Sequence, residues 1–506
     1  MAQGILPFKY EKEKKERGMT GLGGLPVYLD LAMAMGLGES IERHLQIKEQ
    51  GWTDKQTVLS LVMLNLTGGD CVDDLRKLEG DDGFCRVLRR MEQKGMKRRE
   101  RRGEDRLWQR ERQRVFPSPS SVFRYLSAFH SSDEEKERVR GKAFIPAPNR
   151  HLHGLMKVNG DMVQFIQSRR PEKVATLDQD ATLVETTKRE AFYSYKGYKA
   201  YQPLNTWWAE QGLVVHTDFR DGNVPAGYEQ LRALQEALAL LPQGVETVRL
   251  RSDTAGYQHE LLRYCAQGKD ERFGRIEFAI GCDVNPEFKR AVLEVEEKEW
   301  QPLYQEFDGC RIKTTQEWVE VCFVPYAFSR SKRDPVYRYL SIREVMGSMD
   351  LPGIEPSQQS LPFQTVQMSN QHYKLFGLVT NMDWEGEQLI HWHRKRCGKS
   401  EEAHAVMKDD FAGGKLPSDD FGENAAWWWI MILAMNLNNA MKQLALGKSW
   451  VPRRMKAIRF LLINLPGRIV ERSRELIIRL AKNNPAVDFL LEARRQIMVL
   501  SWAPSG

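Results

Sequence analysis

The sequence predicts an α/β protein whose mixed sheet is interrupted by a β-rich segment and flanked by helical regions. Two observations predict this class. From about residue 170 the chain changes from helical periodicity to runs of β-branched and aromatic residues separated by turn residues. These runs follow the order strand, strand, strand, helix, strand, helix, which is typical of a mixed sheet packed against helices. With 506 residues, the chain is long enough to bury such a core without disulfide or metal staples.

The first region, residues 1–150, is predicted to be helical and basic. Apolar residues recur at helical spacing through residues 20–85 and again in residues 116–130, where prolines and a serine mark a helix start. Between them, residues 86–114 contain thirteen Lys or Arg against five Asp or Glu. This clustering suits a polyanionic partner such as DNA, and a solvated helical surface explains it equally well. We interpret the region as a DNA-binding or dimerisation region with the arm residues Arg98, Arg99, Arg101 and Arg102.

The next segment, residues 170–270, contains the first part of the predicted sheet. Its first strand is VATLDQDATLV, residues 174–184, and two more strand-like runs follow, YKAYQPLNTWWAE and GLVVHTDFRDGN. A helix is predicted for residues 228–241, a strand for residues 246–253 and another helix for residues 256–267.

The rest of the chain returns to this sheet after an excursion. Residues 271–372 are strand-like and turn-rich, and they are predicted to be a β-rich insertion that ends where YKLFGLVTN rejoins the main sheet. Residues 373–445 are the predicted second part of the core and include AAWWWIMILAMNLNNAM. That run is too short to cross a bilayer and ends in asparagines, so a buried helix is predicted. Residues 446–506 are predicted to form a basic helical tail.

The bulk composition predicts a cytoplasmic protein that contacts no membrane. The seven cysteines are scattered and form no Cys-x-x-Cys pair, which argues against a disulfide framework and a structural zinc site. The first residues contain no apolar stretch of signal-peptide length. The formal net charge of +7 is concentrated in the basic segment and the tail, which again suits a nucleic acid partner.

Acidic residues occur at three places that are unusual for them or close to the end of an element. Asp178 and Asp180 lie two residues apart within the first strand, so their side chains point to the same face. Asp253 ends a strand that precedes a helix, and Glu401 and Glu402 open a later helix. Taken singly, Asp253 and the glutamates have a structural explanation, because carboxylates cap helix N-termini. Together the acids suit a site for Mg²⁺ or Mn²⁺, since hard cations prefer carboxylate oxygens and two such ions promote phosphoryl transfer.

Several motifs, in the same order along the chain, resemble those of the DDE transposases of bacterial insertion sequences. LDQDAT resembles the first-strand motif, KGYKAYQPL and FRDGN the following strands, VRLRSDTAGY the second-Asp strand, and LVTNMDW the strand before the third acid. HWHRKRCGKSEEAHAVMK resembles the family's Tyr-Arg-Glu-Lys signature, with Arg396, Glu401 and Lys408 at the last three positions. The sequence differs from the signature in that His393 replaces Tyr and one extra residue separates Arg396 from Glu401. The resemblance covers about residues 170–440.

This resemblance implies an RNase H-like core with a β-rich insertion and a site for two Mg²⁺ ions, with Mn²⁺ as a substitute. It implies that Asp180, Asp253 and Glu401 are the catalytic and metal-binding residues. Asp178 and Glu402 are helper candidates, and either one is an alternative direct ligand.

Helix spacing favours Glu401 over Glu402. Glu401, His404 and Lys408 are at positions i, i+3 and i+7, so they share one face of a helix. That face would present a metal ligand and a phosphate-binding cation together.

The implied function is cleavage of DNA at the ends of an insertion sequence, followed by attack of the 3′-OH on target DNA. Arg396, Lys408 and His393 are expected at DNA phosphates. The expected partners are double-stranded DNA, as terminal inverted repeats and target, and a second copy of the chain in a synaptic homodimer. The expected location is the bacterial cytoplasm, at the nucleoid. The alternatives are an RNase H-like nuclease without strand transfer and a non-catalytic DNA-binding relative of a transposase.

Overall fold

The computed structural model describes most of the chain, namely residues 18–94, 96–97, 99–103, 106, 114–325, 335–346, 364–368, 371–396, 399–472 and 475–502. The basic segment 86–114 is therefore described only in part, and Arg98 lies outside the described residues.

Helices dominate the N-terminal part of the described chain. After the short strand β1 (Met19–Thr20), they are α1 (Pro26–Ala34), α2 (Leu37–His44), α3 (Asp54–Thr67), α4 (Leu75–Glu79), α5 (Asp82–Glu92), α6 (Pro119–Leu126), α7 (Ser132–Glu135) and α8 (Arg150–Arg169). A capping box starts α3, because Thr53 Oγ1 accepts from Gln56 N and Gln56 Oε1 accepts from Thr53 N, both at 3.1 Å.

A large mixed sheet forms the centre of the molecule and confirms the predicted α/β class. Its first elements are β2 (Val174–Ala181), β3 (Val184–Glu185), β4 (Ala200–Tyr201), β5 (Leu204–Trp208), β6 (Leu213–Asp218), α9 (Gln230–Leu240), β7 (Thr247–Ser252), α10 (His259–Ala266) and β8 (Glu277–Cys282). Within the sheet the order is β6-β5-β2-β7-β8. Strands β2, β7 and β8 are parallel, while β5 is antiparallel to both of its neighbours. The small pair β3–β4 lies outside the sheet.

The strands of the expected insertion continue the same sheet. They are preceded by α11 (Pro286–Leu293) and comprise β9 (Gln301–Phe307), β10 (Cys310–Val321), β11 (Arg338–Val345), β12 (Thr365–Met368) and β13 (Gln371–Thr380). Strand β13 pairs antiparallel with β8, and the order continues as β8-β13-β11-β10-β9.

Strand β8 follows residue 271, where the insertion was predicted to begin, and it pairs parallel with β7 as part of the parallel strands. The other edge of β8 forms an antiparallel hydrogen-bonded ladder with β13, which leaves neither edge of β8 exposed.

Helices follow the sheet and cover it. They are α12 (Gly386–Arg394), α13 (Lys399–Ala405), which continues as a π-helical turn over Val406–Asp410, and α14 (Phe421–Ala440). Almost every side chain of α14 is buried, as predicted for its apolar run. The helix is tied to β6 by Trp428 Nε1, which donates to Thr217 Oγ1 at 2.9 Å, and by Val214 N, which donates to Asn436 Oδ1 at 3.0 Å. Among the helices of the described chain, none combines the length and apolar character needed to cross a membrane.

The tail differs from the predicted helical segment. After α15 (Met455–Ile458) it forms a hairpin of β14 (Gly467–Arg472) and β15 (Glu475–Leu480), and then α16 (Ala486–Trp502). Strand β1 pairs with β14, so the tail and the start of the described chain share a three-stranded sheet. This pairing partner lies at the other end of the chain, which is why a local pattern does not disclose it.

Candidate active site

Asp180 and Asp253 lie side by side at the carboxyl ends of two parallel strands. The parallel pairing of β2 with β7 extends to the pair Gln179 and Ser252. Asp180 follows Gln179, and Asp253 follows Ser252, so the two acids come next in the same register. Both side chains are partly buried, and that of Asp180 is 20% exposed. Functional groups gather at this edge of open α/β sheets, so two sequence-predicted residues are brought together there.

The electrostatics of this pair favour a cation. The pKa of Asp180 is raised to about 6, mainly because its carboxyl group is buried. The Arg396 guanidinium lowers this pKa, and the neighbouring charge of Asp253 raises it. A cation placed between the two carboxylates would relieve both their repulsion and the cost of burial.

Asp253 also has the capping role that its position predicts. Its Oδ1 accepts a hydrogen bond from Ala255 N at 3.0 Å and starts the 3₁₀ turn Thr254–Gly256. In the described part of the chain no hydrogen bond reaches its Oδ2. The capping bond fixes the orientation of the carboxylate and leaves one oxygen for a ligand.

Asp178 forms a buried ion pair with Arg251, a residue that the sequence analysis did not single out. Arg251 lies opposite it on β7 and donates from Nε to Oδ1 at 2.6 Å and from Nη2 to Oδ2 at 2.8 Å. The side chains are only 2% and 4% exposed for Asp178 and Arg251. Arg251 Nη1 also donates to Trp392 O at 2.6 Å, and its guanidinium lies 5.0 Å from the Trp392 ring centroid.

Through Arg251, Asp178 therefore joins β2, β7 and α12, and both of its carboxylate oxygens accept hydrogen bonds from that arginine. The missed signal was the alternation in VRLRSD, which places Arg251 on the same face as Asp253.

Arg396 connects the signature motif to the acid pair. Its Nη1 donates to Asp180 Oδ2 at 3.1 Å, and the residue is 7% exposed. Its Nε is buried and meets no acceptor in the described part of the chain. Arg396 is thus held next to Asp180 with hydrogen-bonding capacity to spare.

His393 supports the strand that ends at Asp253. Its Nε2 lies 2.9 Å from Ser252 O, and burial lowers the pKa of His393 to about 4. The imidazole is therefore neutral near pH 7 and donates its Nε2–H to that carbonyl. The structure places His393 against the backbone next to Asp253, whereas the sequence predicted a phosphate contact.

The helix that carries Glu401 faces the end of β2 on one side. Lys408 Nζ donates to Leu183 O, just beyond β2, at 3.4 Å. Burial, together with the charges of Lys408 and Arg396, lowers the pKa of His404 to about 4, so these three groups lie near one another. Glu401 is exposed and lies one turn before His404 on this face. Its predicted register with Lys408 is altered, because the π-helical turn over Val406–Asp410 intervenes.

Glu402 lies on a different side of α13. Burial lowers the pKa of Lys442, and the charge of Glu402 opposes this effect, so Glu402 lies towards the π-helical segment after α14.

The three predicted acids do not meet as one compact cluster of ligand atoms. A metal site needs several ligand atoms close together. Among the described residues, one group of three His, Cys, Asp or Glu side chains has all its ligand atoms within 4.8 Å of one another. That group is Asp70, Cys71 and Asp74, immediately before α4 and more than 100 residues before Asp180 in the sequence. Asp180, Asp253 and Glu401 do not form such a group, so the three carboxylates are not all within 4.8 Å of one another.

The remaining predicted groups lie away from this pair. Arg99 and Arg102 are exposed and Arg101 is half-buried, and no described contact joins them to the acids.

The fold and the acid pair define an α/β protein with a carboxylate site at the ends of adjacent parallel strands. Its sequence matches the family described as transposase DDE domain group 1 over residues 13–342 and 354–502, and the chain belongs to that family. It is a transposase by family, which confirms the coarse part of the sequence-based identification. A comparison with curated proteins finds no match. Among solved structures it is similar to a piggyBac transposase synaptic complex with hairpin DNA, at 11% identity and a TM-score of 0.38, covering 88% of this chain and 81% of the other.

Proposed function

We propose that the protein is a DDE transposase with an RNase H-like core that cleaves DNA at element ends and joins the 3′-OH to target DNA. The observation that carries the proposal is the position of Asp180 opposite Asp253 at the ends of adjacent parallel strands. The order β6-β5-β2-β7-β8, with antiparallel strands on one side of β2 and parallel strands on the other, supports the RNase H-like assignment. Membership of the transposase DDE family supports the reaction class.

The acid pair fits a divalent cation such as Mg²⁺, or Mn²⁺ in its place. Carboxylate oxygens are the ligands that these ions prefer, and the raised pKa of Asp180 reflects burial and a like charge that a cation would compensate. Glu401 is the proposed third ligand, with Glu402 as the alternative. Two bound ions would activate the attacking oxygen and stabilise the leaving oxygen of an in-line displacement.

The protein's own residues have three proposed tasks. Arg396 orients Asp180 and has a further N–H donor for a DNA phosphate. Lys408, beyond the end of β2, is a second phosphate ligand. His393 is proposed to position Asp253 through the backbone of Ser252.

The proposed partners are the terminal inverted repeats of a bacterial insertion sequence and a target duplex, held by a homodimer in a synaptic complex in the bacterial cytoplasm. The exposed arginines Arg99 and Arg102 and the partly exposed Arg101 support a DNA-binding role for the basic segment. Arg98 belongs to the same proposed arm.

The test uses labelled DNA containing the genomic sequences that flank the reading frame, a target plasmid and Mg²⁺. Strand-joined products are expected from the wild-type protein and not from Asp253→Asn. Asp283→Asn is the matched control, because Asp283 is exposed and directly follows parallel strand β8 as Asp253 follows β7. Cleavage without joining would instead support the nuclease, and DNA binding without either reaction would support a non-catalytic relative.

A further inference from the structure

A hairpin stands at the edge of the sheet that carries Asp180. We define the tyrosine hairpin as residues 184–201, whose base is the β3–β4 pair. The hairpin connects the end of β2 to the start of β5. At that edge of the sheet, Asp180 of β2 pairs with Asn205 of β5. The hairpin therefore rises from the strand ends that form the proposed active site.

The tip of the tyrosine hairpin presents two rings to solvent. Tyr193 forms an isolated bridge with Lys199, and Gly197, at φ +83°, closes the turn. Side chains alternate, so Ser194 is buried while Tyr193 and Tyr195 are 54% and 77% exposed. Neighbouring exposed aromatic rings are an interaction feature, because large apolar side chains are normally covered.

The base of the tyrosine hairpin is hydrogen-bonded to the core of the protein. Lys188 Nζ donates to Pro417 O at 3.0 Å, and Arg189 N donates to Asp419 Oδ1 at 2.7 Å. On the other side, Gly222 N donates to Ala200 O at 2.8 Å. The base of the tyrosine hairpin is thus bonded to two loops of the core, while the rings of Tyr193 and Tyr195 at its tip remain exposed.

Each of the two rings has a cation beside it. The Arg140 guanidinium lies 5.8 Å from the Tyr193 ring centroid, and Lys196 Nζ lies 5.9 Å from that of Tyr195. Lys and Arg outnumber the acids of residues 185–199, with Lys188, Arg189, Lys196 and Lys199 against Glu185 and Glu190. Exposed rings among cations suit unpaired nucleotides, since the bases stack on the rings and the cations attract the phosphates. Bases inside an intact duplex are already stacked and cannot reach them.

We propose that Tyr193 and Tyr195 stack on unpaired bases of the DNA end held at Asp180 and Asp253. The inference rests on the proposed function for the identity of that DNA, and it adds a single-stranded or frayed end as the specific ligand. Removal of one stacking ring should weaken binding of an unpaired end by about tenfold, which corresponds to about 1.4 kcal/mol.

The experiment measures binding without cleavage, using the Asp253→Asn protein in EDTA. The probes are one duplex with an unpaired 3′ end containing 2-aminopurine and the same duplex with a blunt end. We expect preference for the unpaired end and a fluorescence change on stacking. Tyr195→Ala and Tyr193→Ala should each reduce that preference by about tenfold, and Tyr195→Phe, which keeps the ring, should retain it.

Phe307→Ala is the matched control, because Phe307 is 68% exposed at the end of β9, in a different hairpin of the sheet. Unfolding curves establish that all variants are folded. An unchanged preference in the Tyr193→Ala, Tyr195→Ala double variant, or an equal loss for blunt and unpaired ends, would overturn the inference. Stacking without Mg²⁺-dependent cleavage by the wild-type protein would contradict the proposed function alone.

Discussion

Arg396 donates from Nη1 to Oδ2 of Asp180 at 3.1 Å and joins the turn after α12 to the end of β2. The two side chains are 9% and 20% exposed, so solvent screens the pair weakly. This relationship makes Arg396 a positioning residue for the acid pair as well as a candidate phosphate ligand.

Replacement of Arg396 by alanine is expected to lower the rate of DNA cleavage about 100-fold, because Asp180 loses its orienting partner and the phosphate loses a donor. Arg396→Lys should fall between alanine and wild type, since it keeps the charge and loses the planar fork. Single-turnover cleavage checks this. Lys395→Ala, an exposed neighbour in the same turn, is the control, and equal rates for Arg396→Ala and wild type would contradict the prediction.

Asp178→Asn is expected to lower the free energy of unfolding by about 3–5 kcal/mol, because it leaves the buried Arg251 charge without its carboxylate. Urea unfolding measures this. The control is Glu246→Gln, which breaks an exposed ion pair with Lys173 at the start of the same two strands and should cost at most about 1 kcal/mol. Equal losses for the two variants would show that the Asp178–Arg251 pair is not a structural tie.

His393 is expected to make stability depend on pH. Its folded-state pKa of about 4 is below the ordinary value of 6.5, so between these values the unfolded chain binds more protons and stability is lost as pH falls. From pH 7 to pH 5 the wild-type free energy of unfolding should fall by about 1–2 kcal/mol more than that of His393→Gln. Parallel urea curves would contradict the buried neutral imidazole.

Mg²⁺ is expected to stabilise the folded protein through the acid pair. At about 100 times its dissociation constant, one bound ion contributes about 2.7 kcal/mol and raises the midpoint of thermal unfolding. The shift should disappear in Asp180→Asn and Asp253→Asn and persist in Asp283→Asn. A shift that survives in all three variants would place the ion elsewhere.

The basic segment is expected to give DNA binding a steep salt dependence. Replacing Arg99, Arg101 and Arg102 together by glutamine should reduce the slope of log affinity against log salt by up to about 3, because each phosphate contact contributes about 0.9. Fluorescence anisotropy at several salt concentrations measures the slope. An unchanged slope would remove these three side chains from the DNA interface.

Local sequence pattern was sufficient for the mixed sheet, its element order and the position of the acids. Alternation along β2 placed Asp178 and Asp180 on one face, and the uniform apolar character of α14 predicted a helix buried on all sides. These features depend on residues that are close together in the sequence, and for that reason the sequence alone predicts them.

Only the tertiary structure decided which of these groups meet. Asp178 and Asp180 share one face of β2, yet cross-strand register pairs the first with Arg251 and places the second beside Asp253. The β1–β14 pairing and the position of β8 inside the core were likewise set by contacts distant in the chain. Strand register and ion pairing depend on packing between remote segments, and that physical information is absent from any local run of residues.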